Sequence, residues 1–113
     1  MTRDDFRRIA LNLPEATETD DEGTVHFRVC GRAFARLPAR DTGWADVLLS
    51  RRDAALCGAG EPEIFAPLPS TWLRTGYTQI NLRKAGEHTV RSALDAAWRE
   101  AAPRRLAASR ART

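Results

Sequence analysis

Towards the end of the chain Val90, Ala93, Leu94, Ala97, Trp98 and Ala101 recur at i, i+3, i+4, i+7, i+8 and i+11, an apolar stripe on one side of a helix that Pro103 ends. A stripe this long has to be covered, and 113 residues give one domain with a single two-layer core in which to cover it. Its cover has to be a sheet, and a clear strand lies just upstream. From Tyr77 to Leu82, Thr78, Ile80 and Leu82 share one parity while Tyr77, Gln79 and Asn81 take the other, the period-two pattern of a half-buried strand. Ser70 caps a single turn holding Trp72 that leads into this strand.

The rest of the chain supplies further strands. Thr2 reads as an N-cap with Asp5 three residues on, and Phe6, Ile9, Ala10 and Leu13 repeat at helical spacing, so residues 3–13 form an amphipathic helix stopped by Pro14. A short strand over Ala16–Thr19 leads to the turn Asp20-Asp21-Glu22-Gly23. In Thr24–Val29, Val25, Phe27 and Val29 face one side while His26 and Arg28 face the other. Cys30-Gly31 is a tight connection into Arg32–Leu37, which places Ala33, Ala35 and Leu37 on one side and Phe34 and Arg36 on the other. A fourth strand follows at Trp44–Leu49. Ser50 then caps a short helix whose buried stripe is Ala54, Ala55, Leu56 and Cys57, and Ile64-Phe65 is an apolar anchor or short edge strand hemmed in by Pro62, Pro67 and Pro69. The order helix, strand meander, short helix, strand, helix predicts an α+β two-layer sandwich, an antiparallel sheet with both long helices packed on one face.

The pattern DFRRIALNLPEATE at Asp5–Glu18, then HFRVCGRAFA at His26–Ala35, then Trp72 to Leu82 resembles the MmcQ/YjbR family over nearly all of residues 2–102. The resemblance implies a CyaY-like (frataxin-like) sandwich and a DNA-binding role, the latter through likeness to a "double-wing" domain of a phage transcription factor. The chain departs from the family pattern at Tyr77, where members often carry Trp. It departs again at Asp20–Thr24, which replaces a longer Gly/His/Pro turn with a more acidic one.

Charge divides the chain unevenly. Residues 103–113 hold Arg104, Arg105, Arg110 and Arg112 and no acid, and read as a disordered basic tail outside a single domain at residues 1–102. That domain carries 14 basic against 15 acidic residues, yet five of the acids sit in one corner (Glu15, Glu18, Asp20, Asp21, Glu22), leaving 14 against 10 elsewhere. The outward set Arg28, Arg32 and Arg36, with Arg74, Tyr77, Arg83 and Lys84 near the Tyr77–Leu82 strand, is therefore the expected nucleic-acid-binding surface, the arginines meeting phosphates and Tyr77 offering a stacking face. Phe6, Phe27, Trp44, Trp72 and Trp98 are expected in the core.

Other chemistries find little purchase. His26 and His88 lie on a strand and at a helix start, Ser50 and Ser70 are caps without a nucleophile-elbow context, and Gly58-Ala59-Gly60 is followed by Glu-Pro rather than by a helix, so no catalytic residue is assigned. Cys30 and Cys57 match no metal spacing and read as reduced thiols. No cofactor or metal is expected. No apolar run approaches the roughly 20 residues that cross a membrane. The start lacks the apolar core of a signal peptide, which predicts a cytoplasmic protein. DNA is thus the expected partner; a protein- or small-ligand-binding sheet and a frataxin-like metal-binding domain, the latter resting on the acidic corner, are the alternatives.

Overall fold

The computed structural model describes residues 1–67 and 77–111. Helix α1 (Arg3–Leu11) starts with a capping box: the Thr2 hydroxyl accepts from Asp5 N–H while the Asp5 carboxylate accepts from Thr2 N–H. The Thr2 backbone N–H first, and then the Thr2 side chain, hold the Asp5 carboxyl below its ordinary range. Strands β1 (Ala16–Asp21), β2 (Thr24–Val29), β3 (Arg32–Leu37) and β4 (Trp44–Leu48) then run as an antiparallel meander. Both hairpin turns use paired positive φ angles, Glu22-Gly23 at 54° and 93° and Cys30-Gly31 at 49° and 84°, the twist that suits two-residue connections.

After α2 (Arg51–Gly60), capped by Ser50, the short β5 (Phe65–Pro67) and β6 (Tyr77–Asn81) complete a six-stranded sheet in the order β1-β2-β3-β4-β6-β5. β6 therefore sits inside the sheet between β4 and β5, and the proline-flanked Phe65 lies on an edge, where a missing N–H matters least. Helix α3 (Glu87–Ala101) lays its stripe across β3 and β4 with α1 beside it, both on the same face. Val90, Leu94, Ala97, Trp98 and Ala101 are fully buried. The Trp98 indole N–H donates to the Pro14 carbonyl at 2.9 Å, tying α3 to the end of α1, and the Phe6 ring meets Phe27 edge-on at 5.9 Å.

Four expectations need correction. Residues Phe27 and Arg28 pair with Ala35 and Ala33, which leaves Phe34 as the extra residue of a β-bulge. The bulge turns Phe34 into the core, fully buried, and Ala33 takes the opposite side with Arg28. Trp44 is absent from the core: Ala45, Val47 and Leu49 are buried, so the opposite parity puts Trp44 half-buried on the face turned away from α1 and α3. On α2 only Ala54 is buried and Cys57 half-buried, because four consecutive residues span the full circumference of a helix; Leu56 is exposed. Finally, residues 104–111 are not a disordered tail but helix α4 (Arg104–Ala111). Ala and Arg are strong helix formers, the Pro103 carbonyl accepts from Leu106 and Ala107 N–H at 3.0 Å, and those two side chains pack against the core. The Trp72 turn lies outside the described residues.

Candidate functional site

With α1 and α3 on one face, strand register decides what the other face presents. Ala45 and Val47 of β4 oppose Ile80 and Thr78 of β6 on the core side, so Trp44, Asp46 and Leu48 must point the other way, opposite Asn81, Gln79 and Tyr77. On β2 and β3 the same face carries His26, Arg28 and Arg36.

At its centre three side chains form one unit. Arg36 Nε donates to Asp46 Oδ2 at 2.6 Å, with the two side chains 30% and 11% exposed, and its guanidinium carbon lies 4.5 Å from the centroid of the Tyr77 ring. Direct opposition of Arg36 and Asp46 across β3 and β4 makes the ion pair geometrically easy. Burial pushes the Tyr77 phenol above its ordinary value, opposed by the positive charge of Arg36 and assisted by Asp46, with Arg28 also acting downwards. Arg28 is held differently. Its Nε donates to Thr19 Oγ1 at 3.3 Å and its Nη1 to the Gly31 carbonyl at 3.4 Å, both neutral groups, and among the described residues no carboxylate forms an ion pair with it.

The surface expected from the sequence is therefore only partly assembled. Arg28, Arg36 and Tyr77 come together. Arg32 pairs with Val29, whose side chain is in the core, because the Phe34 bulge shifts parity and takes Arg32 off the face of Arg28 and Arg36. Arg83 and Lys84 are exposed in the turn after β6, beyond the end of the strand that Tyr77 begins. There the Arg83 guanidinium lies over Gly43 (φ 82°), where an added Cβ would come within 2.9 Å of Nε. Arg83 borders a cavity of about 190 Å³ with Arg3, Asp41 and Leu82. Arg74 lies outside the described residues. Two members of the face escaped the sequence reading, Trp44 and Asp46; their shared parity, opposite to Ala45 and Val47, was the signal that could have found them.

The acidic corner is engaged elsewhere. Glu18 is paired with Arg7, whose hydrogen bonds hold its carboxyl below the ordinary range, and the Asp20 carboxylate accepts from Gly23 N–H at 2.8 Å. Among the described residues no three His, Cys, Asp or Glu side chains converge on a metal position. His26 belongs to the open face and His88 to the groove between α1 and α3, so the sheet stands between them. Both cysteines are free, Cys30 exposed and Cys57 half-buried, with burial raising the Cys57 thiol. No described helix is long and apolar enough to cross a membrane.

Neither a family model nor a curated protein matches the chain. Among solved structures, the crystal structure of the Deinococcus radiodurans protein DR2400, described by its DUF419 domain, is similar to it with a TM-score of 0.72 and 19% sequence identity, over 88% of this chain and 77% of that one. At that identity the likeness is one of fold.

Proposed function

We propose that this chain is a non-enzymatic, cytoplasmic DNA-binding protein of the MmcQ/YjbR type whose open sheet face receives the nucleic acid. The observation that carries the reading is the state of Arg28, a half-buried guanidinium held by neutral acceptors beside the Arg36–Tyr77 stack. An arginine that meets only neutral acceptors keeps its full charge for a phosphate. The fold shared with a DUF419-domain protein supports the family assignment. Arg36 contributes less net charge than the sequence suggests, because Asp46 neutralises it.

The competing source of affinity is α4, where Arg104 and Arg105 are exposed and would attract any polyanion. Truncation is a poor control because Leu106 and Ala107 pack on the core. Fluorescence anisotropy with labelled DNA should instead compare Arg28→Ala with Arg104→Gln/Arg105→Gln at low and moderate salt. The expected outcome is that Arg28→Ala weakens binding and lowers the slope of log K against log salt by about 0.7–0.9, one phosphate contact. Unchanged binding by Arg28→Ala, with loss in the double variant, moves the interaction to α4 and leaves the sheet free. In that case the second reading gains: a protein- or small-ligand-binding face, favoured by the internal Arg36–Asp46 pair and by Trp44 and Leu48 beside it.

A further inference from the structure

Resting on the nucleic-acid reading above, we infer that the ligand of the open face is single-stranded, its bases stacking along β4 on Trp44 and on the Arg36–Tyr77 unit while Arg28 holds the backbone. Three observations converge on this. The first is shape. Duplex DNA is read by inserting a helix or a two-stranded ribbon into the major groove. The hairpin at the sheet's free edge, β1–β2, ends in exposed Asp20, Asp21 and Glu22, the wrong charge to enter a groove walled by phosphates. A sheet face presenting planar groups instead suits bases that have been splayed out of a helix.

The second is spacing. Trp44, Asp46 and Leu48 alternate along one strand, so successive positions on the face are about 7 Å apart. That is twice the roughly 3.4 Å between stacked bases on one strand of a duplex. Bases meeting Trp44 and the neighbouring Arg36–Tyr77 unit have to be unstacked from one another, which a single strand allows and a duplex does not.

The third is how charge is distributed. Asp46 cancels Arg36 while Tyr77 supports the guanidinium from one side, leaving the Arg36 side chain 30% exposed as a neutralised plane. Such a plane stacks on a base without seeking a phosphate. Among the described residues, basic side chains in no ion pair lie to either side of it, at Arg28 on β2 and, past the end of β6, at Arg83 and Lys84, where a backbone tracking the face would pass.

The test is anisotropy with a labelled oligothymidylate about eight nucleotides long, within the usual site size of a single-strand-binding domain, against a duplex of the same length. It uses the native protein and the variants Trp44→Leu, Trp44→Phe and Arg28→Ala. The inference expects the oligothymidylate to bind more tightly than the duplex, Trp44→Leu to weaken it by roughly 5- to 100-fold, and Trp44→Phe to restore most of the loss. The comparison of the two ligands on native protein needs no variant to fold. Duplex binding as tight as or tighter than oligothymidylate, or a Trp44→Leu protein that binds normally while Arg28→Ala does not, overturns the single-strand inference and leaves the nucleic-acid reading in place. Binding to neither ligand overturns both.

Discussion

A single tyrosine makes the centre of the candidate site measurable at residue scale. Tyr77 is 9% exposed with Arg36 across its ring, and burial raises its phenol above the ordinary value near 10. A group whose folded pKa is raised contributes stability that is present below its unfolded pKa and is lost as pH rises through the folded one. The phenolate absorbance should therefore titrate with a midpoint above 10, and unfolding should become easier as pH climbs past that value. A midpoint at the ordinary value would mean that burial does not outweigh the opposing positive charge of Arg36. Arg36→Ala should leave Asp46, 8% exposed, without its partner, and part of the resulting loss is the desolvation of that carboxylate rather than of the stack.

At the scale of elements the bulge on β3 is the decisive departure from regularity. Unbroken alternation puts Phe34 on the open face with Arg32 and Arg36; the bulge makes it one of the fully buried side chains instead. Phe34→Ala should accordingly cost about 3–5 kcal/mol in urea unfolding, as large-to-small core changes do. A loss under about 0.5 kcal/mol, the range of surface substitutions, would restore the regular register and return Arg32 to the site. The case also shows where the fold was legible and where it was not. The stripes of α1 and α3, the Thr2–Asp5 and Ser50 caps and the strand meander follow from local spacing and turn chemistry, so the chain itself carries them. A bulge depends on two strands being paired, and one extra residue reverses every assignment beyond it. The Arg36–Asp46 contact is hidden for the same reason, being set by the β3–β4 register and not by either strand alone. Helix α4 was missed because an Arg/Ala/Ser composition serves a solvated tail and a helix equally well, and only docking of Leu106 and Ala107 separates them.

At the scale of the whole molecule, the sequence divides its charge between a near-neutral domain with one acidic corner and a basic C-terminal stretch, and the fold spreads the basic groups over separate surfaces. Arg28 lies on β2 to one side of the Arg36–Tyr77 unit, Arg83 and Lys84 in the turn beyond the end of β6, Arg104 and Arg105 at the start of α4, and the acids Asp20, Asp21 and Glu22 at the free edge. Charges separated by more than the Debye length of about 10 Å at 0.1 M salt act nearly independently, so the net charge of +3 says little about which surface a polyanion meets. Location has to be measured. The most direct measurement is a titration of isotope-labelled protein with a short DNA oligonucleotide, followed by amide and indole N–H resonances. The account predicts that the Trp44 indole and the amides of Arg28, Asp46 and Gln79 shift together, while the Trp98 indole, bonded to the Pro14 carbonyl within the core, stays in place. Shifts confined to residues 104–111, with Trp44 and Arg28 unmoved, would contradict it.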